Sequence, residues 1–241
     1  MALPKLDVPT YELILPLSEK KIKFRPFLVK EQRNLLMALE SNDAESIQNC
    51  VRDVLDSCIL TEGINISKLP IIDIEYYFTQ LRGKSVGEII ESKYKCNNEV
   101  NNEVCGNIME TTINLTELKV QKPENIAPEI ALTDNIVIKL NYPLFEVVEK
   151  SIDIDNNTEV TFNMIADSIE YIYDGKQFYY ASEAQPGEML SFVEGMNQEQ
   201  FDRVEKFFHD LPKLQHQLNM TCGKCGYHHE IMVEGLENFF V

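Results

Sequence analysis

The sequence predicts an α+β fold: short β-hairpins and a sheet, four to five amphipathic helices, and a split four-cysteine zinc ribbon. Three observations predict it. Strand-forming runs are joined by polar turns, other segments repeat apolar residues at intervals of three and four, and four of the six cysteines form two widely separated pairs. With 241 residues, 44% of them hydrophobic and 25% charged, the chain is long enough to bury a sizeable core.

Residues 1–95 are expected to form an N-terminal unit of one hairpin and several helices. The runs YELILPL and KIKFRPF predict two strands joined by the polar turn SEKK. VKEQRNLLMALES predicts a helix, and Asp43 caps a second one. The apolar positions of this second helix form one stripe, made of Ile47, Cys50, Val51, Val54, Leu55 and Cys58. A third helix follows Pro70 and leads through a glycine-containing turn to a strand that ends at Cys96.

Residues 121–214 are expected to form a strand hairpin and a helical region that pack on the rest of the chain. EIAL and IVIKLN predict a hairpin around Thr133-Asp134-Asn135. A helix capped near Asn156 and closed by the Asp174-Gly175 turn follows. Its predicted apolar positions are Phe162, Ile165, Ile169 and Ile172. KQFYYAS predicts a strand, PGEMLSFVEGM a short helix, and a last helix begins at Asn197.

The cysteine pairs predict the zinc ribbon, which is discontinuous over residues 96–120 and 215–241. Cys222 and Cys225, in MTCGKCGYHHE, have the C-x2-C spacing that lets one tight turn supply two zinc ligands. Cys96 and Cys105, in KCNNEVNNEVCGN, are further apart, but their interval contains NNEV twice, so we interpret the extra four residues as a lengthened loop. A glycine follows each pair, as expected where the chain turns back with positive φ. We call each cysteine pair, together with the glycine that follows it, a cysteine knuckle.

The four predicted metal ligands are therefore Cys96, Cys105, Cys222 and Cys225. Zinc bound by four cysteines has no open position, so the metal is expected to be structural and not catalytic. Two alternatives are four free thiols and disulfides, and disulfides are disfavoured because nothing at the N-terminus resembles a secretory signal. His228 and His229 are considered as ligands, but they follow Cys225 too closely, and a strand position or a hydrogen bond to a ligand is the preferred interpretation.

Composition excludes several classes of function. The formal charge of −17, from 39 acidic and 22 basic residues, argues against binding to a nucleic-acid backbone. No apolar run approaches the length of a membrane span, so we expect a soluble protein of a reducing cytoplasm that contacts no membrane. We find no catalytic or cofactor-binding spacing and expect no enzyme; for example, Gly83-Lys84-Ser85 lacks the earlier glycine and strand of a phosphate-binding loop.

Aromatic residues are the expected contacts to other proteins, because the helices carry more aromatic surface than one buried stripe uses. We expect some members of one set to be exposed: Tyr76, Tyr77, Phe207, Phe208, Phe239 and Phe240.

Several blocks, taken in order along the chain, support a more specific hypothesis. They are FRPFLVKEQRNLLMALES, DIEYYFTQLRGKSVGE, a cysteine knuckle, NYP, and the closing MNQEQFDRVEKFFHDLPKLQHQLNMTCGKCGYHHEIMVEGLENFF. This order resembles the baseplate hub proteins of T-even-like contractile-tailed bacteriophages. The resemblance implies a tail protein needed to assemble the central hub, with other hub or tape-measure proteins as partners. It implies a location in the host cytoplasm during assembly and then in the virion tail baseplate, and no catalytic residues.

Two other functions stay open at this point. The opening strand, charged turn and FRPF run also resemble tail assembly chaperones, which hold the tape-measure protein and are absent from the mature virion. A zinc ribbon alone is also compatible with a nucleic-acid-binding protein, although the basic face that such a protein needs is missing. The sequence does not indicate an oligomeric state.

Overall fold

The computed structural model describes residues 6–41, 43–121, 127–147 and 157–234 and confirms the α+β class. The predicted cap Asn156 and the predicted contact residues Phe239 and Phe240 lie outside these ranges. In the described ranges, no helix has the length and apolar character needed to cross a membrane.

The described strands form small antiparallel sheets of two to four strands. The strands are β1 (Tyr11–Ile14), β2 (Lys21–Phe24), β3 (Ile89–Lys95), β4 (Glu99–Val100), β5 (Glu103–Val104), β6 (Ile108–Asn114), β7 (Lys119–Gln121), β8 (Glu129–Ala131), β9 (Val137–Leu140), β10 (Ile169–Tyr173), β11 (Phe178–Tyr180), β12 (Lys213–Thr221) and β13 (His228–Glu234). The helices are α1 (Val29–Ser41), α2 (Ala44–Cys58), α3 (Ile71–Ser85), α4 (Asn157–Ser168), α5 (Glu188–Glu194) and α6 (Gln198–His209). A helical stretch over 145–147 brings the described helices to seven, more than the four to five expected.

The N-terminal core forms where the predicted β1–β2 hairpin packs against α2 and α3. Its fully buried side chains include Leu15, Ile22, Leu55, Tyr77 and Leu81. As predicted, Asp43 caps α2, and its carboxylate accepts a hydrogen bond from the Ser46 N–H at 3.0 Å.

A buried carboxylate ties the hairpin turn to α3. Asp73, in the first turn of that helix, accepts hydrogen bonds from the backbone N–H groups of Leu17 (2.7 Å) and Ser18 (2.9 Å). These two bonds satisfy a carboxylate that solvent does not reach, so the turn and the helix are held in one arrangement.

A second core lies under a four-stranded sheet with the strand order β11-β10-β9-β8. One face of this sheet contributes Ile138, Leu140 and Ile172 to the core, and α4, α5 and α6 contribute the rest. Asn197 precedes the first residue of helix α6 and caps it, close to the predicted start, and Asn197 and Gln200 form a reciprocal capping box.

The predicted helix across this region is too long. Helix α4 ends at Ser168, and two of its predicted apolar positions, Ile169 and Ile172, belong to strand β10. The apolar spacing of three and four fits a helix, but the run IEYIY is rich in β-branched and aromatic residues and pairs with β9 and β11. Pairing with these neighbouring strands therefore overrides the local period.

A third group of buried side chains joins the two hairpins that carry the cysteines. Strand β3 pairs with β6, and β12 pairs with both β13 and β7. Their shared buried side chains are Ile90, Ile113, Leu115, Leu118, Leu214, Leu218 and Val233. Gln80 of α3 donates a hydrogen bond to the Leu115 carbonyl oxygen at 3.2 Å, which connects this group to the N-terminal core. The division of the chain into residues 1–95, 96–120 with 215–241, and 121–214 stays a prediction.

Candidate metal centre

The four predicted ligands come together at the tips of the two hairpins. Their sulfur atoms all lie within 4.8 Å of one another. The Cys96 and Cys225 sulfurs are 3.7 Å apart, and those of Cys105 and Cys222 are 3.8 Å apart. A tetrahedral zinc ion with Zn–S bonds of about 2.3 Å places its sulfurs about 3.8 Å apart. The cluster therefore has the size of a four-thiolate zinc site.

The two knuckles share one backbone arrangement although their cysteines are spaced differently. The Gly106 N–H donates to the Cys96 carbonyl oxygen at 3.0 Å, and the Gly226 N–H donates to that of Cys222 at 2.8 Å. Both glycines have positive φ, 65° and 75°, as the sequence predicted. In each knuckle the N–H of the first cysteine also donates, at 2.8 Å, to the carbonyl of the residue after the glycine.

The extra residues of the first knuckle form a small hairpin of their own. Strands β4 and β5 pair around Asn101 and Asn102, whose φ values of 54° and 63° are those of a two-residue hairpin turn that asparagine tolerates. Val100 and Val104 are 43% and 58% exposed. The second NNEV copy therefore projects from the ribbon, as expected, and leaves the two cysteines at its base.

Two asparagine side chains donate to the sulfurs across the pair of knuckles. Asn98 donates through Nδ2 to the Cys225 sulfur at 3.6 Å, and Asn107 donates to the Cys222 sulfur at 3.5 Å. Each asparagine lies in the first knuckle and each acceptor in the second, so these bonds link the hairpins directly. Such donors spread the negative charge that four thiolates concentrate in a buried site.

The histidines do not belong to the four-sulfur cluster. The Nε2 atom of the buried His229 lies 3.2 Å from the Cys96 sulfur, and the His229 ring packs edge-on against Tyr227. His228 is exposed, and its Nδ1 atom lies 3.2 Å from the Thr221 hydroxyl oxygen. The interpretation of both histidines as non-ligands stays a prediction.

The surroundings of the cluster shift the pKa values of two cysteines in opposite directions. Hydrogen bonds from the backbone N–H groups of Cys225 and Lys224 lower the pKa of the Cys222 thiol to about 6. Burial raises the pKa of the Cys96 thiol to about 12. The two thiols are thus shifted in opposite directions, the pKa of Cys222 by backbone hydrogen bonds and that of Cys96 by burial.

The cluster can bind a metal ion with four ligands and no open position. Sequence reasoning missed Asn98 and Asn107. The one signal that could have found them is their place beside the knuckle, in Cys-Asn-Asn and Cys-Gly-Asn.

The expected aromatic contact set is only partly exposed. Tyr77 is fully buried and donates its hydroxyl to the Leu55 carbonyl oxygen at 3.2 Å, and Phe207 is buried under the second sheet. Tyr76 and Phe208 are partly buried. Tyr77 and Phe207 are therefore not among the exposed members of the set, because neighbouring elements cover more of each helix than one stripe. Among the described residues, the exposed aromatic side chains are those of Phe178, Tyr179, Tyr180 and Tyr227.

Comparison with known proteins gives one result. A family model described as T4 bacteriophage base plate protein matches residues 8–241. Neither the curated proteins nor the solved structures include a match to this chain.

Proposed function

This chain belongs to the T4 bacteriophage base plate protein family, and we propose that it serves the assembly of the central hub of the baseplate. The observation that carries the proposal is the family match, which spans residues 8–241. Membership points to a structural role in the phage tail and to contacts with other baseplate proteins, and not to catalysis. The hub assignment is supported by the order of sequence blocks described above.

We also propose that Cys96, Cys105, Cys222 and Cys225 hold a structural zinc ion. The support is the four-sulfur cluster, its closed ligand set, and the asparagine donors aimed at two of its sulfurs. When bound, the metal would supply a cross-link between the β3–β6 and β12–β13 hairpins. Elemental analysis of protein purified without chelator should return one zinc per chain, and a metal-free preparation that keeps the same melting temperature would contradict the proposal.

Disruption of the gene during infection tests the hub function. We expect particles without complete baseplates, and we expect a plasmid copy of the gene to restore them. Normal baseplates in the absence of the protein would contradict the proposal.

Mass spectrometry of purified tails and of assembly intermediates separates the hub protein from the chaperone. A hub component remains in the mature tail in a fixed ratio to other baseplate proteins. A protein that is required for assembly, but is found only in intermediates with the tape-measure protein, would instead be the chaperone.

A further inference from the structure

Strand β11 is the most exposed aromatic feature of the described chain that the metal centre does not use. Its three residues are Phe178, Tyr179 and Tyr180, and they are 50%, 44% and 43% exposed. The strand lies at the edge of the four-stranded sheet and pairs only with β10 among the described strands. It therefore offers a free backbone edge together with aromatic side chains.

The outer face of this sheet continues the aromatic surface. Two rows of side chains cross it from β11 to β8, and all eight members are at least partly exposed. The rows are Tyr180–Tyr171–Lys139–Glu129 and Phe178–Tyr173–Val137–Ala131. The Phe178 ring contacts those of Tyr171 and Tyr173 at centroid distances of 5.1 and 4.7 Å, so the aromatic side chains pack against one another in one layer.

A groove of about 1010 Å³ lies along β11 toward α5. Its apolar lining includes Tyr179, Ile136 and Phe192. Its charged lining residues are all acidic, namely Asp174, Glu183 and Glu188, and no lysine or arginine is among the described residues that line it. The groove thus combines an apolar wall with a negative rim.

We propose that β11 and this groove bind an extended, lysine- or arginine-bearing segment of another tail protein, which adds a strand to the sheet edge. Strand addition satisfies the free backbone edge, and the acidic rim selects a basic partner. The inference rests on the proposed function, since that function supplies tail proteins as partners. A second copy of this chain is disfavoured as the occupant because each copy carries a formal charge of −17.

The side chains of an extended segment alternate between two faces, and this alternation matches the two different surfaces beside β11. Successive side chains point to opposite faces of a strand, so one set enters the groove and the other lies over the outer aromatic layer. A cation is already placed over this layer, since Lys139 Nζ lies 5.6 Å from the centre of the Tyr171 ring. Basic side chains of the partner would contact the exposed Tyr180 ring in the same way.

The test uses the full chain and synthetic 15-residue peptides, a length chosen to exceed the ~6 residues of a typical strand, that tile the hub and tape-measure proteins of the same phage. Fluorescence anisotropy measures each Kd. We expect binding by peptides of net positive charge and weaker binding at higher salt. Phe178→Ser combined with Tyr180→Ser, and separately Glu183→Lys, should each raise the Kd about tenfold or more.

The matched control is Leu36→Ser combined with Met37→Ser, which removes two exposed apolar side chains from α1 (54% and 61% exposed). This variant should bind like the wild type. The proposal is overturned if no peptide binds, if the β11 variants bind normally, or if only the α1 variant loses binding. If the double β11 variant does not fold, the Kd of Glu183→Lys tests the proposal instead. Glu183 is exposed, so its substitution should leave the fold intact.

Two further measurements separate the outcomes. A wild-type dimer that becomes monomeric in the β11 variant, seen by sedimentation equilibrium, would show that a second copy occupies the edge and would overturn the proposal. If gene disruption blocks baseplate formation but the β11 variants restore it, this inference fails while the hub function stands. If disruption blocks nothing, the hub function itself fails, and the binding site at β11 stands only if basic peptides bind the wild type and lose binding to the β11 variants.

Discussion

At the scale of single residues, charge neutralisation accounts for the surroundings of the candidate metal centre. Four thiolates around a divalent zinc ion would leave a net charge of about −2 in a site where Cys96 and Cys222 are buried. Hydrogen-bond donors that point at the sulfurs lower the cost of burying this charge. Asn98 and Asn107 fill this role on the second knuckle's sulfurs.

Asn107→Ala should weaken zinc binding about tenfold, because the Cys222 sulfur loses a donor that stabilises its thiolate form. Competition with a chromophoric chelator measures the change in zinc affinity. The control is Asn219→Ala, an exposed asparagine of β12. Equal zinc affinities for the two variants would mean that the contact at 3.5 Å is incidental.

Glu75 on α3 should make stability depend on pH. Burial raises the pKa of its carboxyl from 4.5 to about 7. Between these two pH values, the folded state therefore retains a proton that the unfolded chain has already released. Its contribution to stability is thus fully present below pH 4.5 and is lost as the pH rises through 7.

The melting temperature of Glu75→Gln should therefore rise relative to that of the wild type as the pH is raised from 4.5 to above 7. Thermal unfolding of both proteins across this range measures the difference. The exposed Glu62→Gln serves as the control for loss of a carboxylate at the surface. A difference between Glu75→Gln and the wild type that stays constant over this pH range would show that the Glu75 carboxyl does not change its protonation on unfolding.

At the scale of elements, each cysteine pair lies at the tip of a hairpin. Strand pairing fixes the register of the hairpin, and a glycine with positive φ allows the turn at its tip. The first knuckle carries the additional β4–β5 hairpin without losing the backbone bonds that the second knuckle makes. This arrangement is possible because the Cys105 N–H donates to the Asn98 carbonyl oxygen at 2.8 Å, which closes the base of the insertion.

Deletion of Asn101–Val104 should leave zinc content unchanged and should shift the melting temperature by no more than about 3 °C. The reason is that the bond between Cys105 and Asn98 then spans an ordinary four-residue turn, and the removed valine is exposed. Elemental analysis and calorimetry check the result. A large loss of stability would reveal packing by the insertion that its exposure does not indicate.

At the scale of the whole molecule, the candidate metal site joins segments that are far apart in the chain. Cys105 and Cys222 are separated by 117 positions, and a metal ion between them would cross-link the two hairpins. The buried side chains below the site, together with Gln80, connect the same hairpins to α3. Loss of the metal is thus expected to affect more than the C-terminal strands.

Cys222→Ser should remove zinc and lower the free energy of unfolding by about 3 kcal/mol or more. Hydrogen exchange should increase in β3 and β6 as well as in β12 and β13, because all four strands lose the cross-link. Cys50→Ser, at a half-buried cysteine of α2 outside the cluster, should keep the zinc. Faster exchange confined to β12 and β13 would show that the site does not couple the two hairpins.

The sequence by itself determined the features that depend on a few adjacent residues. These are the β1–β2 hairpin, the caps at Asp43 and Asn197, the positive φ of the two knuckle glycines, and the cysteine spacing that indicated a shared site. Each is set by local sterics and local hydrogen bonds, which a short stretch of sequence records.

Only the tertiary structure decided the features that depend on distant partners. The run from Ile169 to Tyr173 is a strand because β9 and β11 pair with it, and Tyr77 is buried because the β1–β2 hairpin and α2 cover it. The free edge at β11 and the asparagine donors at the sulfurs also exist only once separate segments meet. Burial and strand pairing are non-local, so the period of a short segment indicates a surface but not what covers it.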